Sequence, residues 1–274
     1  MPPTTTERPP IAPFGHSTNH STSHSTNHST HHSQPAQPNP QTLNSDSHHA
    51  ASRNVVIAFQ QVGKVYRNGC QALIDVNWQI RQGDFLFITG PSGSGKSTLL
   101  KLLYGEEQPT QGEVLVKGLN LSGLRNNQLS KLRRQIGIVF QDYKLIPRRT
   151  VSENVAFVLW AQGYTRKEIH RRLLPTLKMV GLHDKANCFP EELSGGEQQR
   201  VSIARAVVGT PPILLADEPT GNLDPDNSWQ VIKILKKLNS IGITIVVTTH
   251  DEQLVRMSNH SVLQLRDGRL YHSK

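Results

Sequence analysis

Residues 90–98 read GPSGSGKST, an order of glycines, hydroxyls and one lysine suited to holding a chain of phosphates. The segment fits G-x-x-x-x-G-K-[ST] at Gly90, Gly95, Lys96 and Ser97. Gly90, Gly93 and Gly95 let successive backbone N–H groups turn inward on an anion, with Pro91, Ser92 and Ser94 completing the loop. The helix expected to follow adds the partial positive charge of its N-terminus. Lys96 is placed to reach the β- and γ-phosphates of a nucleoside triphosphate, and Ser97 to offer its hydroxyl to Mg²⁺. Thr98 is placed to donate to the α-phosphate.

Other residues could complete such a site. Ser194, Gly195 and Gly196 precede a helix expected from Glu197 to about Val208. Ser194 can cap it, and the glycine pair leaves its start open to an approaching anion. Asp217 and Glu218 close the apolar run ILLA at 213–216, and acids at the carboxyl end of a central strand lie where open α/β sheets bind ligands. Asp217 can hold Mg²⁺ through water, and Glu218 can orient and deprotonate an attacking water. His250 follows the apolar run 243–247, where a histidine is either structural or within reach of a terminal phosphate. Tyr66 reads either as a ring that stacks on a purine or as an ordinary sheet tyrosine.

The elements needed to position these residues are visible as changes of period, and they spell an α/β fold. Residues 55–59 and 72–80 read as strands joined by a turn at 66–69, and 112–117 and 136–140 as two more. The run FLFIT at 85–89 enters the phosphate loop as a buried strand, and Leu99, Leu100, Leu102 and Leu103 leave it at helical spacing. Between 118 and 135 stand Arg125, Lys131, Arg133 and Arg134 with no acid. From 141 to 192 the pattern is helical. Val151, Val155, Val158 and Leu159 form one stripe while Phe157 and Trp160 fall on other faces, so this helix is buried all round or has a partner. Arg166, Lys167, Arg171, Arg172 and Lys178 read as the solvated side of a second helix. The expectation is a small helical subdomain with its own core, with or without a groove for another protein's helix. GNLDP at 221–225 is a tight loop before a helix expected at 227–238.

Composition sets the outer limits. Of 274 residues, the first 53 carry only Glu7, Arg8, Asp46 and Arg53 as charges, so the net +9 belongs to the remainder. That balance suits nucleic acid or an anionic membrane surface and does not choose between them. Residues 16–32 read HSTNHSTSHSTNHSTHH, with His16, His20, His24 and His28 in phase, flanked by proline-rich pieces. Ser, Thr and Asn are poor helix formers and no apolar stripe would dock such a helix, so 1–53 reads as a disordered tail. Cys70 and Cys188 stand in no metal or redox spacing. No signal peptide or membrane span is expected from any apolar run.

Together these segments resemble the ATP-binding subunits of ABC transporters over residues 55–272. The Walker A loop is then 90–97, the glutamine loop Gln141, and the D-loop 222–224. LSGGEQQR at 193–200 matches the family signature, a motif far more specific than a phosphate loop. Residues 213–218 match Walker B with Glu218 as catalytic glutamate, and His250 matches the switch histidine. The resemblance implies a P-loop NTPase core over 54–274 with an antiparallel β subdomain and a helical subdomain at about 142–192. It also turns Tyr66 toward adenine stacking. It implies a homodimer in which Ser194, Gly195 and Gly196 of one subunit close over ATP on the other. Glu218 would then polarise water, Gln141 sense Mg²⁺ and that water, and His250 steady the γ-phosphate.

VFQDYKLIPRRTVSENV at 139–155 and ADEPTGNLDPDNSW at 216–229 resemble the cell-division branch of the family. The lipoprotein- and macrolide-export branches share most of these motifs. The cell-division resemblance implies an integral membrane partner, a peripheral place on the cytoplasmic face of the inner membrane, and control of cell-wall hydrolases. No nucleic acid is expected, because ABC proteins acting on nucleic acid or ribosomes usually carry two ATPase domains and this chain has one. Glu218 and His250 speak against a scaffold that holds ATP without hydrolysing it.

Overall fold

The computed structural model describes residues 54–272. The histidine-rich stretch expected as a tail lies outside the described residues.

Two antiparallel strands open the fold, β1 (Val55–Val65) and β2 (Gln71–Arg81), joined where Gly69 N–H donates to Tyr66 O at 2.9 Å. Strand β3 (Phe85–Thr89) enters the phosphate loop and α1 (Lys96–Leu103) leaves it. Then come β4 (Gln111–Val116), β5 (Leu119–Asn120), α2 (Asn126–Arg133) and β6 (Ile136–Val139). Helices α3 (Val151–Ala161) and α4 (Arg166–Met179) follow, and after two short 3-10 turns α5 (Gly195–Val207). The described residues end with β7 (Ile213–Asp217), α6 (Pro225–Ser240), β8 (Thr244–Thr249), α7 (Glu252–Ser258), β9 (Ser261–Arg266) and β10 (Arg269–His272).

The strands form two sheets. One is antiparallel, ordered β2-β1-β4-β5; the other is ordered β10-β9-β3-β8-β7-β6 and is parallel except at β10. Side chains alternate across a strand, so a sheet covered on both faces sends odd and even residues into different cores. Phe85 and Phe87 of β3 join Leu214 and Ala216 of β7 and Ile245 and Val247 of β8 in a core under α3, α5 and α6. Their neighbours Leu86, Ile88, Ile213, Leu215 and Val246 join α1 and the antiparallel sheet in the other. The buried residues of α3 and α4, such as Val155, Leu159 and Leu177, run without a break into the first of these cores.

Three helices start on the same device. Thr150, Thr165 and Ser194 each accept from the backbone N–H three residues on, and Glu153, Glu168 and Glu197 reach back to the capping residue's own N–H. Each such cap stabilises its helix by about 1 kcal/mol. The Ser194 cap places the start of α5 at Gly195, two residues before the expected Glu197. Asp224 caps α6 with Pro225 at the first helical position, so that helix also begins earlier than expected.

Candidate active site

Strands β3, β6, β7 and β8 run parallel, so their carboxyl ends share one edge, and the loops leaving it carry the candidate residues. From β3 comes the phosphate loop. A methyl built on Gly90 would lie 2.2 Å from Leu265 O, and one on Gly95 2.4 Å from Ala72 O, so neither position admits a side chain. Gly95 also has φ +104°, in the region that favours glycine. Lys96 is 4% exposed; its ammonium donates to Gly90 O at 2.9 Å and Pro91 O at 3.1 Å and lies 3.3 Å from Glu218 Oε1. The buried Ser94 hydroxyl of this loop has no hydrogen-bond partner among the described residues.

From β7 come the two acids. Ser97 Oγ donates to Asp217 Oδ1 at 3.2 Å, so the hydroxyl and the carboxylate expected around a metal are neighbours. Glu218 stands at φ +43°, a strained conformation for a residue with a Cβ, and its Oε2 lies 2.8 Å from His250 Nδ1. Gln141 reaches the same place from β6: a methyl built on Gly221 would lie 3.3 Å from Gln141 Nε2 and 3.5 Å from Glu218 Oε2. Thus Lys96, Ser97, Gln141, Asp217, Glu218 and His250 converge.

Among the described residues no group of three or more His, Cys, Asp or Glu could hold a metal unaided. The donors present are a hydroxyl, a carboxylate and an amide oxygen. That incomplete set of hard oxygen ligands fits Mg²⁺, which keeps waters and phosphate oxygens in its shell.

Tyr66 lies at the other end of the phosphate loop. Its hydroxyl is 3.1 Å from Thr98 Oγ1, and the Lys64 ammonium stands 5.0 Å from its ring centre. Lys64 is itself fixed by Glu107 at 2.6 Å and Gln108 O at 2.8 Å. Lys64, Tyr66, Glu107 and Gln108 line an open cleft of about 680 Å³ with Arg67 and Asn68.

Gly195 and Gly196, after Ser194, pack against Tyr143, Leu223 and Asn227. A methyl on Gly195 would meet Tyr143 Oη at 3.1 Å, and one on Gly196 would strike Asn227 Oδ1 at 2.1 Å. Asn227 is held by Asp224, through its backbone N–H at 2.9 Å and side chain at 2.6 Å, and by Arg200 at 3.2 Å. Those bonds from Asn227 keep the Asp224 carboxyl below its ordinary range. Among the described residues no hydrogen bond or ion pair joins 194–196 to 90–98. Lys185, at 2.6 Å, and the cap bonds at Ser194 hold the Glu197 carboxyl low as well.

Three contributors were not legible from the sequence. Thr248 donates its hydroxyl to Asp217 Oδ1 at 2.7 Å. Gln199, fully buried, donates to Pro219 O at 2.7 Å and ties α5 to the turn after Glu218. Arg205 donates to the carbonyls of Tyr143 at 2.8 Å and Lys144 at 2.5 Å, two residues with left-handed φ just after Gln141. Burial lowers the Arg205 pKa.

Similarity to known proteins points the same way. The ABC transporter family profile matches residues 73–221. The chain is 46% identical over 215 residues to the cell division ATP-binding protein FtsE of Streptococcus pneumoniae, covering 78% of this chain and 94% of that one. It is 47% identical over 216 residues to FtsE of Escherichia coli K12, covering 79% and 97%. It superposes with a TM-score of 0.73, at 41% identity and covering 80% and 97%, on a dimeric post-hydrolysis state of the ATP-binding cassette MJ0796 bound to ADP and Pi.

Proposed function

Because the chain belongs to the ABC transporter family of ATP-binding subunits, we propose that it is an FtsE-type ATPase completing each active site with a second copy of itself. One observation carries the composite site. The phosphate loop and the acids are bonded to one another, while among the described residues no hydrogen bond or ion pair ties Ser194, Gly195 or Gly196 to them. An interface that brings the two together head to tail buries two ATP molecules and closes by twofold symmetry.

In that arrangement Lys96 binds the β- and γ-phosphates and the loop N–H groups bind the chain of oxygens. Ser97, Gln141 and Asp217, the last through water, would hold Mg²⁺; when bound, the ion neutralises charge on the phosphoryl oxygens. Glu218 accepts the proton of the attacking water as its oxygen bonds to the γ-phosphorus and the β–γ bridge breaks, giving ADP and phosphate. His250, bonded to Glu218, fixes that carboxylate and reaches the γ-phosphate. Tyr66 stacks on adenine. Closing the second subunit excludes water and completes the electrostatic frame, and two repelling products reopen it.

The mechanical output goes to an FtsX-like integral membrane subunit, which makes this chain a peripheral component on the cytoplasmic face. No helix among the described residues is long and apolar enough to cross a membrane. Control of cell-wall hydrolases in cell division follows from that partnership. The reading is tested by replacing Ser194 with a bulky residue: Ser194→Trp should bind ATP as a monomer, fail to dimerise on ATP and lose turnover. A fully active Ser194→Trp monomer would remove the composite site. Isolation from membranes should bring with it a protein of about four spans with a large external domain; a many-span permease or a lipoprotein exporter would redirect the assignment.

A further inference from the structure

We propose that Thr248 is a positioning residue for the Mg²⁺–ATP site, its one hydroxyl setting Asp217 and Glu218 in register with each other. The inference rests on the ATP-site reading above. In the parallel pairing of β7 and β8, Asp217 stands opposite Thr248. Thr248 is fully buried, and a hydroxyl there has one hydrogen to give and two lone pairs to fill. The hydrogen goes to Asp217 Oδ1 at 2.7 Å, a short bond to a charged acceptor. The Glu218 N–H comes to the same hydroxyl oxygen at 3.1 Å and to the Thr248 carbonyl, also at 3.1 Å.

Two consequences follow. Asp217 Oδ1 is committed to two hydroxyls, Thr248 and Ser97 at 3.2 Å, which leaves Oδ2 without a protein hydrogen bond among the described residues. The carboxylate therefore presents one defined oxygen toward a water or metal. The Glu218 peptide, at φ +43°, is pinned from β8, so the next side chain leaves the strand end in the direction of His250. A β-branched residue suits a buried strand, but Val246 and Val247 beside it show that valine fills this strand equally well. A buried hydroxyl is costly unless bonded, and this one gives its hydrogen to the metal-side acid.

The experiment measures a fluorescent ATP analogue binding to the full chain, once with excess Mg²⁺ and once with EDTA. The ratio of the two affinities reports the metal alone. Thr248→Val should lower that ratio about tenfold, the order expected for losing one hydrogen bond to a charged group, and leave metal-free binding within about twofold. Thr248→Ser should restore it. Thr248→Ala is read in the same way if the valine variant does not fold. The proposal is overturned if the hydroxyl-free variants keep the wild-type ratio, if they weaken both affinities equally, or if serine fails to rescue. A wild-type chain whose binding ignores Mg²⁺ would instead sink the site reading, and a wild-type ratio above unity with no change in the variants sinks only the role of Thr248.

Discussion

Lys96 Nζ lies 3.3 Å from Glu218 Oε1, so the cation that should grip the phosphates and the base that should activate water are one ion pair. An ammonium has three hydrogens, and here they face Gly90 O, Pro91 O and Glu218. A γ-phosphate reaching Lys96 must take over at least one of these places, and the Glu218 carboxylate is the one it repels. Binding of ATP should therefore free Glu218 as it engages Lys96. Glu218→Gln should bind ATP at least as tightly as the wild type while turnover falls by about 10²–10⁴, the usual contribution of a positioned base. Equilibrium binding and single-turnover phosphate release check both parts; undiminished release would take the base role from Glu218.

The loop glycines should differ in a graded way. At Gly95 an added methyl meets Ala72 O at 2.4 Å and Leu73 Cδ2 at 3.1 Å, whereas at Gly93 nothing stands within 4 Å and only φ +78° opposes it. Overpacking against backbone costs about 1–3 kcal/mol and a left-handed Cβ about 1–2 kcal/mol. For a domain of this size that is roughly 4–20 °C in Tm for Gly95→Ala and about 2–8 °C for Gly93→Ala. Thermal melts of the two variants, with and without ATP, test the order. Equal losses would mean the contact with β2 is not what requires glycine at 95.

At the start of α5 the added methyl of Gly196→Ala would displace Asn227, which Asp224 and Arg200 both hold. The disturbance lies on the face that should close over a second subunit and leaves the phosphate loop alone. ATP affinity of the monomer should stay within about twofold, and ATP-driven dimerisation by sedimentation should weaken about tenfold or more, as for a hot-spot residue. Weakened monomer binding with normal dimerisation would reverse the assignment of 194–196.

Much of this site can be read from the sequence because its residues follow strands whose apolar runs are unmistakable. Asp217, Glu218 and His250 come at the ends of β7 and β8, and parallel pairing then brings them together. Thr248 escaped because a threonine in a buried strand is ordinary, and its bond to Asp217 spans 31 positions of sequence. Arg205 escaped because a basic residue in a helix reads as a solvated face, yet here it is clasped by the carbonyls of Tyr143 and Lys144. Helix α2 left no apolar stripe to see, with Leu132 its one buried side chain. The glycines at 195 and 196 hid the true start of α5, since their poor helix propensity is outweighed by the Ser194–Glu197 capping box.

Stability should fall on mild acidification through His260. Its ring stacks on Phe85, with centres 4.3 Å apart at 13°, and its buried Nε2 has no hydrogen-bond partner among the described residues. Burial first, and the Lys236 charge second, hold the imidazole below its ordinary range. A folded-state pKa below the unfolded one means the native state favours the neutral ring. The stabilisation is complete above the ordinary value of about 6.5 and is lost as pH falls through it toward the lowered folded value. His260→Phe, which keeps the stack and cannot charge, should flatten Tm against pH between roughly pH 7 and pH 5. An unchanged slope would clear His260 of any part in acid sensitivity.

Helix α3 turns Val151, Val155 and Leu159 inward and leaves Phe157 and Trp160 on its outer side, 42% and 46% exposed. Arg149 lies over both rings, 5.6 Å and 5.8 Å from their centres. Phe157 borders a cleft of about 440 Å³ that also exposes Ile138, Phe140 and Ile146 beside β6, the last strand of its sheet. Large aromatics and arginine are the residue types that carry binding energy at protein interfaces, and among the described residues no hydrogen bond or ion pair joins these three to Lys96, Asp217, Glu218 or His250. On the FtsE-type reading this face is where a membrane subunit should dock. Trp160→Ala should therefore weaken co-purification of that subunit about tenfold or more while ATP binding by the isolated chain stays within about twofold. Ile241→Ala, at a 70% exposed position after α6, serves as the control and should change neither. Retention of the membrane subunit by Trp160→Ala at the wild-type level would move the docking surface off α3, since an aromatic of this size cannot be removed from an interface core without cost.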